Sequence, residues 1–130
     1  MPVDSPKLTY HQASGVIETP DGVTVAFGWA GNGEGKNNPA MQDKRGIGPL
    51  PQGLYVVGAW ENHPRLGKMV APLHQIDGET FGRDDFFIHG PSVDPSHYGQ
   101  ESMGCIVTPF TSRLKVREEL PEESHLRVEA

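Results

Sequence analysis

The chain has 130 residues and a formal net charge of −6, the length of one domain, and with no run of Lys or Arg it lacks the electrostatic footprint of a nucleic-acid binder. Its single cysteine excludes an internal disulfide framework and any four-cysteine zinc site, and no apolar stretch approaches the ~20 residues of a membrane-spanning helix. Sixteen glycines and twelve prolines argue against a helical bundle and for a mainly β chain with shaped loops.

The start, Met1-Pro2-Val3-Asp4-Ser5-Pro6, has neither the basic residues nor the apolar run of a secretory signal. Lys7 to Gln12 predicts a first strand. Gly15 to Thr19 and Val23 to Phe27, two β-prone runs around Pro20-Asp21-Gly22, predict a hairpin. Gly28 to Ala40 is a long Gly/Asn loop, read either as plain surface or as part of an active site. It is not a phosphate-binding loop, because Lys36 is followed by Asn37 and no helix opens there.

Gly46 to Gly53 is a stiff turn leading into a strand over Leu54–Trp60. Met69 to Ile76 reads as another strand, placed at a sheet edge because Pro72 interrupts it. Phe86 to His89 is a further apolar run. Thr108-Pro109 predicts a helix start with Thr108 as cap and Phe110, Leu114 and Leu120 on its packed face, ended by Pro121. Leu126 to Val128 adds a last short strand.

The chemistry gathers between Phe86 and Thr108. His89 leaves one apolar run, and Cys105 opens the next behind Gly104. A thiol attacks carbonyls as thiolate, and a nearby imidazole can take its proton and hold it as an ion pair. Gly104 and Cys105 would then offer N–H groups to an oxyanion, while Ser102 would orient His89 or bind substrate. Read singly, the cysteine is a small buried hydrophobe and His89-Gly90 a strand end; the pairing of the two is what suggests a site.

Other residues carry two readings each. Arg83 suits a substrate carboxylate or a local ion pair with Asp84 or Asp85. Trp29 and Trp60 line a cleft or fill the core, and Asn37 and Asn38 bind polar substrate or close a turn. His89, His97 and Cys105, with His74 or His63, can be drawn as a zinc site, yet they lack the close-paired spacing of such sites; no metal or other cofactor is expected.

Phe87-Ile88-His89-Gly90 followed by Ser102-x-Gly104-Cys105-Ile106 resembles the signature of the L,D-transpeptidase (YkuD-like) catalytic domain. Trp29-Ala30-Gly31, Gly35-Lys36-Asn37-Asn38-Pro39, Gly46-x-Gly48-Pro49-Leu50-Pro51-x-Gly53-x-Tyr55 and Gly82-Arg83 resemble one branch, the type VI secretion L,D-transpeptidase effectors. The resemblance spans about Leu8 to Thr108 and implies a YkuD-like β-sandwich or barrel, a single catalytic domain over 1–130, with one short helix after the cysteine. It implies a peptidoglycan enzyme that cleaves the diaminopimelate–D-Ala bond of tetrapeptide stems through a thioester, resolved by water (L,D-carboxypeptidase) or by an amine (L,D-transpeptidase exchange).

Cys105 would be the nucleophile, His89 the base and then the acid, Ser102 a support and Gly104 the shaper of the oxyanion hole. Gly90, Arg83, Asn37, Asn38 and Trp29 would face substrate. Delivery to the bacterial periplasm and a cognate immunity protein are further implications. Two departures stand out: Met103 and Val107 occupy positions where the wider pattern has His before, and Arg or Asn after, the Gly-Cys pair. The alternative is a non-catalytic wall-binding module of the same fold.

Overall fold

The computed structural model describes residues 5–91 and 102–130. Among them run β1 (Leu8–His11), β2 (Val16–Glu18), β3 (Thr24–Phe27), β4 (Trp29–Ala30), β5 (Gly53–Val57), β6 (Glu61–His63), β7 (Gly67–Gly78), β8 (Phe86–His89), β9 (Ile106–Val107), one α-helix, α1 (Phe110–Glu119), and β10 (His125–Glu129). The strands form one sheet in the order β3-β2-β1-β10-β5-β7-β8-β9-β4, with β6 paired to β7 beside that path. The mainly β expectation holds, as does the single helix after the cysteine.

β3 and β4 stand at opposite ends of that order yet only Gly28 separates them in the chain, so the sheet curls into a nearly closed barrel. Gly28 makes the turn possible: a Cβ there would lie 2.7 Å from the Val107 carbonyl oxygen. Its N–H donates to Gly15 O at 2.8 Å, and Thr108 Oγ1 donates to Phe27 O at 2.7 Å. The seam is thereby tied to the segment that follows the cysteine.

Alternation fills the interior. Leu8 and Tyr10 of β1, Tyr55 and Val57 of β5, Ile88 of β8, Ile106 of β9 and Leu126 and Val128 of β10 all point into one core, each aliphatic side chain contributing about 1.5–3 kcal/mol on transfer from water. The Pro20-Asp21-Gly22 hairpin forms as expected between β2 and β3.

β7 is central, between β5 and β8, which corrects the edge placement. Pro72 is tolerated because its C=O accepts from Gly58 N at 2.9 Å just past the end of β5. The donor that proline lacks falls where the ladder stops in any case.

The helix also differs from expectation. Pro109, whose ring has no polar atom to offer, sits at the capping position without a side-chain cap bond, and the Thr108 hydroxyl donates instead to Phe27 O. Its inward residues are Arg113 and Val116, followed by Leu120 at its end, whereas Phe110 (52% exposed) and Leu114 face out. At about 100° per residue, 113, 116 and 120 share one face and 110 and 114 lie roughly a quarter-turn away.

Candidate active site

β8 and β9 run parallel with Ile88 opposite Ile106 and His89 opposite Val107. β9 in turn faces β4, Val107 opposite Trp29. Side chains alternate along strands and partners share a face, so His89, Val107 and Trp29 form a row on one face. Cys105 lies in the bend just before β9, next to Ile106.

His89 is buried, and its Nδ1 lies 2.9 Å from the Gly90 carbonyl oxygen. A carbonyl only accepts, so Nδ1 carries the proton and Nε2 is the basic nitrogen. Gly90 therefore orients the imidazole through its main chain. The space beside it is taken on one side: a Cβ at Gly90 would lie 1.9 Å from Arg113 Nη1.

Cys105 is 9% exposed, and its thiol donates to Asp85 O at 3.6 Å. Burial pushes the thiol up to about 11; the Phe87 N–H pulls it down, the Asp85 carboxylate raises it further and Arg83 lowers it. Burial thus favours the protonated thiol over the thiolate.

Ser102 is fully buried, and its hydroxyl is fully used. It accepts from Gly31 N at 2.8 Å and Gly104 N at 3.1 Å, and donates to the Cys105 carbonyl. These three bonds pin the 102–105 turn to the loop that follows β4. Because the Gly104 N–H ends on Ser102, it is not available to an oxyanion, which corrects that expectation. Gly104 has φ +134°, a conformation that favours glycine.

The Gly28–Ala40 loop belongs to the site's support. Asn32, which sequence reasoning missed, donates from Nδ2 to Ser102 O and to Gly46 O, both at 2.8 Å. Asn37 Oδ1 accepts from Ala30 N at 3.1 Å, and Asn38 Oδ1 accepts from Ala40 N while its Nδ2 donates to Glu34 O. These two close turns, the plainer of their two readings. Trp29 carries Lys36 Nζ 5.0 Å from its ring centre, and its Nε1 is buried without a partner among the described residues.

Arg83 is buried against main-chain carbonyls and forms no salt bridge with Asp84 or Asp85. Arg113, also missed, donates from Nη1 to Thr108 O at 2.8 Å. Buried Gln12 joins Gln42 and Gln52 in a side-chain network that holds the 42–52 loop. Among the described residues no three His, Cys, Asp or Glu side chains converge to hold a metal. His63 Nδ1 accepts from the Arg65 and Leu66 N–H groups, and His97 and Tyr98 lie outside the described residues.

This architecture is that of the L,D-transpeptidases. A structure described as the Ldtfm–avibactam carbamoyl enzyme superposes with a TM-score of 0.58 at 14% identity, covering 98% of this chain and 50% of that one. An L,D-transpeptidase from Mycobacterium smegmatis aligns with a TM-score of 0.49 at 14% identity, covering 95% and 59%. The chain thus spans little more than half the length of the solved structures it matches. No curated protein matches it. The Tlde1 domain model matches residues 24–129, and the chain belongs to that family.

Proposed function

We propose that residues 1–130 form one catalytic domain, a peptidoglycan-modifying cysteine enzyme that cleaves the diaminopimelate–D-Ala bond of tetrapeptide stems. The observation that supports this reading is the parallel β8–β9 pair, which carries His89 at the end of one strand and leaves Cys105 immediately before the start of its neighbour. Family membership and the fold support it.

Burial favours the protonated thiol, so proton transfer accompanies attack. His89 Nε2 takes the thiol proton as sulfur bonds to the carbonyl carbon. The tetrahedral intermediate collapses, the C–N bond breaks, and the imidazolium gives its proton to the departing D-Ala amine. Water or an amine, deprotonated by His89, then attacks the thioester and releases Cys105. An antibacterial effector acting in the periplasm, paired with an immunity protein, is the biological setting we infer from the family.

The test is a digest of purified muropeptides followed by mass spectrometry. Loss of D-Ala or exchange for a free D-amino acid is expected, and Cys105→Ala abolishes it. Turnover that survives Cys105→Ala overturns the mechanism. One observation favours the rival wall-binding module: the cysteine's low exposure and raised pKa. That reading predicts sacculus binding with no turnover, unaffected by Cys105→Ser.

A further inference from the structure

Arg83 is 5% exposed, and every one of its four Nη protons meets a main-chain carbonyl. Nη1 donates to Gln42 O and to Pro49 O, the latter at 2.9 Å. Nη2 donates to Gly48 O at 2.9 Å and to Met103 O at 3.0 Å. The planar fork that would grip a substrate carboxylate is therefore already filled.

The guanidinium touches three pieces of chain at once. Besides the 42–49 loop, it lies 5.5 Å from the ring centre of Phe86, the first residue of the strand that carries His89. It also stands where a side chain at position 104 would be, a Cβ there falling 2.6 Å from Nη2. The glycine before the nucleophile is what lets a cation come up against the main chain one residue from the sulfur.

Resting on the cysteine-enzyme reading above, we propose that Arg83 is the positioning residue of the nucleophile. It locks the Met103–Gly104 turn to the 42–49 loop and sets a fixed positive charge beside the sulfur. As the thiol gives up its proton, that charge offsets part of the cost that burial and Asp85 impose on the thiolate.

The test is the pH dependence of Cys105 alkylation by iodoacetamide in the wild type, Arg83→Lys and Arg83→Gln, each checked for its fold by near-ultraviolet circular dichroism. Arg83→Gln is expected to raise the alkylation midpoint by roughly half a unit to one unit. Arg83→Lys, which keeps the charge but cannot meet four carbonyls, is expected to stay close to the wild type in midpoint and to lose turnover on muropeptides. A folded Arg83→Gln with an unchanged alkylation profile overturns the proposal.

If Arg83→Gln does not fold, the unmutated protein answers the question. The isotope-labelled guanidinium resonances of Arg83 are expected to titrate with the thiol and to stop titrating in Cys105→Ala. Absence of that titration overturns the proposal equally. Neither the alkylation nor the resonance measurement needs a substrate, so both are separate from the digest that tests the peptidoglycan reading.

Discussion

The hydroxyl of Ser102 donates to the carbonyl of Cys105 while the Gly31 and Gly104 N–H groups both donate to it. One buried oxygen thereby fixes the nucleophile's own main chain to the loop that follows β4. Ser102→Ala leaves two N–H groups and a carbonyl without that partner, at an expected cost of about 2–4 kcal/mol. Thermal unfolding followed by circular dichroism checks this, with a fall in Tm of roughly 8–15 °C expected. A fall of only a degree or two would show that water replaces the hydroxyl.

His89 has Nδ1 committed to Gly90 O, which leaves Nε2 to move the proton. His89→Ala is expected to lower kcat for D-Ala release by about 10²–10⁴-fold with little change in KM. Steady-state kinetics on a purified tetrapeptide muropeptide give the number; activity within tenfold of the wild type would remove His89 from the mechanism.

Tyr10 is fully buried, and its hydroxyl has no partner among the described residues. Removing that oxygen relieves an unmatched polar group without changing the ring. Tyr10→Phe is therefore expected to leave stability unchanged or to raise it by up to about 1–2 kcal/mol. Urea unfolding measures it, and a clear loss would show that the hydroxyl is satisfied.

The Cys105 thiol is raised from 9.0 to about 11 by burial first of all, so the folded state holds the proton more tightly than the unfolded chain. The associated stability is complete below about pH 9 and is lost as pH rises toward about 11, up to roughly 2–3 kcal/mol in all. Unfolding across that window in wild type and Cys105→Ala is expected to show a steeper alkaline decline in the wild type. Burial holds Tyr10 and Tyr55 up as well, adding a decline above about pH 10 that both proteins share. Parallel curves for the two proteins would place the thiol in water.

The hairpin around Pro20-Asp21-Gly22, the strand at Phe86–His89 and the helix ended by Pro121 were legible because their signals are local. β7 was not, since the effect of Pro72 depends on where a different strand, β5, stops. Cys105 and His89 could be proposed from sequence as a pair because two chemically distinctive residues flank short apolar runs. The contacts of Arg83 with Pro49 and of Ser102 with Gly31 could not, because those partners are main-chain groups dozens of positions away. Asn32 and Arg113 carried no local signal for the same reason: an amide or guanidinium looks alike in sequence whether it meets solvent, substrate or a distant carbonyl.

β10 lies between β1 and β5, parallel to the first and antiparallel to the second, with Leu8 opposite Leu126. Among the described residues the β1–β3 meander consequently has no ladder to the rest of the sheet except through a strand made about a hundred residues later. Such pairing pays its loop-closure entropy late and slows folding. A chain emerging from the ribosome carries Cys105 and His89 well before the strand that completes the scaffold around them, so final assembly of the domain waits on its last-made residues.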